Sequence, residues 1–152
     1  RLILAATATG HIMVPPSPMV MLKLATPLRY LSARYFRSIA GDIYGGDFRD
    51  SPQRREAQVR RMAPPSMWGY FSQLYALTGW TSIFWLGEIK TRTLVMAGDD
   101  DPIIPLANAR LLANRLPNAR LSIYDCGHLF LLTRLNRAST EIDEFLFEST
   151  GS

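Results

Sequence analysis

Only one cysteine, Cys126, occurs among the 152 residues, so an internal disulfide is excluded and a reducing compartment fits. No apolar run approaches the ~20 residues that a bilayer-spanning helix requires, so no transmembrane segment is expected. The opening stretch RLILAATATG is too short for a signal peptide, and Thr7 and Thr9 interrupt it. A cytoplasmic chain is therefore expected. No internal repeat occurs, and no glycine-rich phosphate loop occurs. The basic stretches carry no interleaved aromatics, so a nucleic-acid stacking platform is not expected either.

What is present is ordinary for one globular domain. Apolar residues make up 47% and charged residues 20%, in a chain long enough to bury a core. The net charge of +4 comes mostly from arginine. Arginines are densest in QRREAQVRRM, residues 53 to 62. Arg54, Arg55, Arg60 and Arg61 read first as a solvated helix face and second as a contact to a polyanion or a granule surface.

Three short apolar runs read as strands buried in a parallel sheet: LILAA at 2–6, TLVMA at 93–97 and RLSIY at 120–124, the last with Leu121 and Ile123 on one face. Between the second and third, PLANARLLANRL has an apolar face of Ala109, Leu112 and Leu116. Pro105 suits its first turn, and Pro117 follows its end. Strand, helix and strand at this spacing make a βαβ unit. A terminal helix follows, with Asn136 as its expected N-cap and Ala138, Ile142, Phe145 and Leu146 as its apolar stripe.

Three units are expected: residues 1–12 as a core strand with its loop, 13–86 as a mostly helical insertion, and 87–152 as the rest of the core. The insertion is rich in Pro, Gly, Met and aromatics. Packing within it accounts for most of these side chains. Met13, Trp68, Trp80 and Trp85 are candidates to line a pocket. Three parallel strands with both edges open read as the C-terminal part of a larger α/β domain.

Ligands of open parallel sheets bind beyond the carboxyl ends of the strands. Three loops lie there: TATGHIM with His11, GDDDP with Asp99, Asp100 and Asp101, and DCGHLF with His128. Taken alone, the aspartates read as a turn leading into a helix and His128 as a loop histidine. On adjacent strand ends, about 4.8 Å apart, they favour a His–Asp dyad. Such a dyad lets imidazole take a proton from a nucleophile while the carboxylate fixes its tautomer. Asp101, third after Gly98 and directly before Pro102, is the candidate acid, with Asp99 and Asp100 shaping the turn. A magnesium site at the three aspartates is an alternative. Cys126 as a nucleophile is a weaker one, because side chains two apart in an extended stretch point to opposite faces.

The segment TLVMAGDDDPIIP followed by LPNARLSIYDCGHLF resembles the acid and base segments of the α/β-hydrolase fold. LAATATG, IAGDIYGG, GWTSI, LVMAGDDDPIIPL and DCGHLFLLTR resemble the intracellular poly(3-hydroxyalkanoate) depolymerases of bacteria. Arg92 stands where such sequences usually have Pro. The resemblance implies an α/β fold: the C-terminal portion of an α/β-hydrolase, three parallel strands with flanking helices, plus a helical cap insertion. It implies Asp101 as triad acid and His128 as triad base. It also implies a medium-chain polyester substrate, and no metal or organic cofactor. His11 is a candidate substrate contact beside an ordinary loop role.

One departure stands out. The fold's nucleophile sits on a G-x-S-x-G elbow, and no such motif occurs here; Ser17, Ser66 and Ser122 lack that context. The expected partner is therefore an N-terminal half carrying the elbow, and the chain alone is expected to be inactive. Dehalogenases and epoxide hydrolases of this fold, which use an upstream aspartate, remain an alternative. A non-catalytic binding module is another.

Overall fold

A computed structural model describes residues 1–148. The three apolar runs become β1 (Leu2–Ala5), β2 (Thr93–Gly98) and β3 (Ala119–Tyr124). They form one parallel sheet in the order β1-β2-β3, with Leu2 opposite Thr93 and Thr93 opposite Ala119. All of β2 is buried, because both faces of this central strand are covered. Its side chains alternate with the two-residue period of a strand. Leu94 and Met96 join Tyr124, Phe130, Ala138 and Phe145 on one face. Val95 and Ala97 join Ala109, Leu112, Leu116 and Leu86 on the other. On β3, Leu121 packs with the second cluster, whereas Ile123 on the same face is exposed, as an edge strand allows.

Helix α6 (Leu106–Arg115), the sixth helix of the chain, crosses from β2 to β3. Pro105 occupies its N-cap position, one residue outside the expected first turn. The last helix among the described residues, α8 (Leu135–Phe147), starts earlier than expected. Arg134 holds its N-cap position and Asn136 lies inside the first turn, because the short helix α7 (Phe130–Thr133) runs almost directly into it. Ala138 and Phe145 are buried and Ile142 partly so, but Leu146 is exposed. Beneath α8, Tyr124 Oη and Ser122 Oγ donate to Glu141 Oε2 at 2.5 and 2.6 Å. Burial and the Glu141 carboxylate push the Tyr124 phenol up to about 12.

Between β1 and β2 lie α1 (Pro18–Leu24), α2 (Leu28–Leu31), α3 (Ala33–Tyr44), α4 (Pro52–Arg61) and α5 (Met67–Ala76). Four of these begin at a serine: the Oγ of Ser17, Ser32, Ser51 and Ser66 accepts from the amide of Val20, Tyr35, Arg54 and Gly69. Helix α3 is the most deeply packed. Phe36, Ile39, Ala40, Ile43 and Tyr44 form a cluster with Phe48, and Ile103 and Leu129, from the loops after β2 and β3, close over it. The α4 arginines are partly engaged within the fold. Arg54 pairs with Asp47, Arg60 with Glu56, and Arg55 Nε donates to Phe48 O at 2.7 Å.

Where α3 ends, main chain lies against main chain. A Cβ on Gly45 would sit 2.0 Å from Asp100 O, one on Gly46 2.2 Å from Gly127 N, one on Gly98 2.3 Å from Cys126 O, and one on Gly127 1.9 Å from Tyr44 O. Gly45 and Gly46 also have φ of 64° and 47°, a region costly for other residues. Gly46→Ala is expected to lower stability in urea by about 2 kcal/mol or more. Gly79→Ala, with nothing within 4 Å of the added methyl, should leave it unchanged or raise it by up to ~1 kcal/mol.

Candidate active site

The loops after the three strands converge on one side of the sheet. His128 Nδ1–H donates to Asp101 Oδ2 at 2.8 Å. The Asp101 side chain is fully buried, and that of His128 is 21% exposed. Asp101 Oδ1 accepts the amides of Ile103 and Ile104, each at 2.9 Å, so the carboxylate cannot rotate away from the ring. The His128 amide donates to Tyr44 O at 2.8 Å, and the Tyr44 ring lies nearly parallel to the imidazole, 6.4 Å between centroids. Because the carboxylate can only accept, Nδ1 carries a proton, and in the neutral ring that tautomer leaves the lone pair on Nε2.

The other two aspartates have different partners. Asp99 Oδ1 accepts the Cys126 amide at 3.1 Å. Asp100 Oδ2 accepts the Gly46 amide at 2.6 Å, and the Arg49 guanidinium bonds both of its oxygens, at 2.9 and 2.8 Å. Three neighbouring carboxylates thus answer three separate donor sets, and they do not converge as a magnesium site requires. Among the described residues no group of three His, Cys, Asp or Glu is placed to hold a metal ion. Cys126 is buried in the apolar cluster behind β2, and burial pushes its thiol above the usual range. A reactive thiol needs the opposite shift.

An apolar groove of about 360 Å³ is lined by Ala6, His11, Met13, Met21, Trp80 and Ile104 among others; neither Asp101 nor His128 lines it. Its link to the dyad is Ile104, whose amide donates to Asp101 Oδ1. His11 Nδ1 lies 3.1 Å from Trp80 O. Trp68 and Trp85 do not line the groove, against expectation. Trp68, on the first turn of α5, is 85% exposed, and Trp85 precedes the 3₁₀ turn Leu86–Glu88. Ala6 has φ 45°, in the left-handed region, with its amide donating to Met96 O at 2.9 Å. A non-glycine residue held there costs about 1–2 kcal/mol.

Residues 54–135 match the family model described as alpha/beta hydrolase fold. The chain belongs to that family. Across 146 residues it is 49% identical to a poly(3-hydroxyalkanoate) depolymerase of Ectopseudomonas oleovorans, covering 96% of this chain and 52% of that protein. The chain thus spans about half the length of this relative. A meta-cleavage product hydrolase from Pseudomonas fluorescens superposes with a TM-score of 0.75 at 19% identity, over 99% of this chain and 56% of that one. A hydrolase from Pseudomonas aeruginosa superposes with a TM-score of 0.72 at 22% identity, over 97% and 55%. These structural likenesses carry the α/β-hydrolase fold alone. No helix among the described residues is long and apolar enough to cross a membrane.

Two ion pairs at this rim of the hydrolase fold escaped the sequence reading. One is Arg49 with Asp100; the other is Arg134 with Asp47, at 2.8 and 3.1 Å. The only local trace is GDFRD, opposite charges two apart after a double glycine. The Arg134 guanidinium holds the Asp47 carboxyl below the usual carboxylate range, and Arg49 does the same for Asp100. Unfolded aspartate titrates near pH ~4. The stability from these pairs is therefore complete above that pH and is lost as pH falls through the lower folded-state values. Asp47→Asn should lower the melting temperature at about pH 7, and the gap to the parent should narrow progressively as pH falls below ~4. A gap that stayed constant with pH would show that the pair carries no proton-linked stability.

Proposed function

We propose that this chain supplies the acid, Asp101, and the base, His128, of a serine ester hydrolase acting on acyl esters or polyesters of hydroxyalkanoic acids. The observation that supports this most is the 2.8 Å contact between His128 Nδ1 and Asp101 Oδ2. The 49% identity to a poly(3-hydroxyalkanoate) depolymerase favours the polyester.

In this reading the nucleophile is a serine on a G-x-S-x-G elbow in a segment upstream of Arg1, since the motif does not occur in these 152 residues. His128 Nε2 takes the serine proton as the hydroxyl attacks the ester carbonyl. Asp101 stabilises the imidazolium that forms. The same nitrogen returns the proton to the departing alcohol. Water then attacks the acyl-enzyme by the same route and releases the hydroxyacid. The oxyanion donors belong to the upstream segment as well. The helices of residues 13–86 act as a cap, and His11, Met13 and Trp80 contact the acyl chain.

The test joins the chain to an upstream half bearing the elbow and measures p-nitrophenyl octanoate hydrolysis. His128→Ala should abolish turnover with the circular dichroism unchanged. Asp101→Asn should lower kcat by about 10⁴-fold. The 152-residue chain alone should be inactive. Full turnover by His128→Ala would overturn the assignment.

A further inference from the structure

The geometry points to residues 44–49 as a clip that sets the distance between the acid and base loops, with Asp47 and Arg49 as its positioning residues. This rests on the dyad reading above and adds a role for residues that touch neither reacting group.

The clip is anchored from below. Phe48 is buried, its ring 5.3 Å from that of Tyr44, and Tyr44 in turn packs against Phe36 of α3. The 3₁₀ turn Gly46–Phe48 follows, so Asp47 and Arg49 flank a fixed aromatic side chain. From that base each reaches a different loop.

On the acid side, Arg49 grips Asp100 with two bonds, and the Gly46 amide adds a third at 2.6 Å. Asp100 immediately precedes Asp101 in the chain. On the base side, Asp47 takes both terminal nitrogens of Arg134. The Arg134 guanidinium also donates to Asp125 O at 2.8 Å, three residues before His128. Tyr44 O holds the His128 amide itself. One six-residue segment therefore grips both loops from a third side, through side chains and backbone together.

Exposed ion pairs usually contribute little to stability, at most about 1 kcal/mol. A paired fork is different in kind, because two parallel bonds fix direction as well as distance. The two forks have reversed polarity: the clip offers a cation to the acid loop and an anion to the base loop. Loosening either should shift one loop against the other, and an error of about 1 Å at a reacting group can cost about a hundredfold in rate.

The test uses the chain joined to its elbow-bearing half, with p-nitrophenyl octanoate. Arg49→Met and Asp47→Asn should each lower kcat by about tenfold to a hundredfold with KM within about twofold. Arg49→Lys should recover part of the loss. The double variant should lose less than the product of the singles, since both act on one distance. Glu56→Gln, which breaks the comparable surface pair with Arg37, should leave kcat unchanged.

A second readout is the downfield proton signal of His128 Nδ1, which should broaden or vanish in Arg49→Met and Asp47→Asn but persist in Glu56→Gln. If either single variant fails to fold, Arg49→Lys and Asp47→Glu carry the same comparison. Variants that lose only melting temperature, with kcat per folded molecule and the Nδ1 signal intact, would overturn the clip. Retained turnover in His128→Ala would instead overturn the dyad. Abolished turnover there, with normal kcat in the clip variants, would remove the clip alone.

Discussion

Close contact between main-chain segments governs this end of the molecule. The turns at Gly45–Gly46, Gly98 and Gly127 approach until no Cβ fits between them. That approach lets the Tyr44 carbonyl reach the His128 amide and the Asp100 amide reach Cys126 O at 3.2 Å. The 2.8 Å contact between His128 and Asp101 follows from it. A bulkier side chain at any of these four glycines would push the Asp101 loop, the His128 loop or the end of α3 out of line.

Charge is arranged around that contact rather than concentrated in it. Three adjacent carboxylates would repel one another if they shared one environment. Here Asp99 takes a backbone amide, Asp100 a guanidinium and an amide, and Asp101 two amides and an imidazole. Each anion has its own donors, which offsets the repulsion and fixes the direction of each side chain. The crowding of aspartates is thus a way to fasten one loop to two neighbours at once, the loop after β3 and the Gly46–Arg49 segment.

The sheet, and the meeting of the Asp101 and His128 loops at one rim, were legible because strand topology decides them. Continuous apolar runs at 2–6 and 93–97, with the alternating Leu121 and Ile123 at 120–124, point to a covered parallel sheet, and such a sheet brings its following loops to one rim. The α6 face of Ala109, Leu112 and Leu116 was legible from helical spacing. Azimuth was not. In α5, only Ser72 and Gln73 mark a polar side, and Met67, Trp68, Tyr70, Phe71 and Tyr75 spread round the rest of the helix, so the sequence does not single out which of them turns inward; Tyr70 is buried and Trp68 is not. Asn136 had the chemistry of a cap, but the preceding turn of α7 set the helix start at Arg134. Asp47 and Arg49 were invisible because their partners, Arg134 and Asp100, lie 87 and 51 residues away.

The position of α3 bears on how such a protein could be recombined. Residues between β1 and β2 look exchangeable as a block. Yet Tyr44, Gly45 and Gly46 within that block are wedged among the loops after β2 and β3. A chimera that replaced the whole block would carry off the wedge along with the helices. The graftable material is split in two, one piece ahead of α3 and one beyond Arg49, on either side of a middle that must stay.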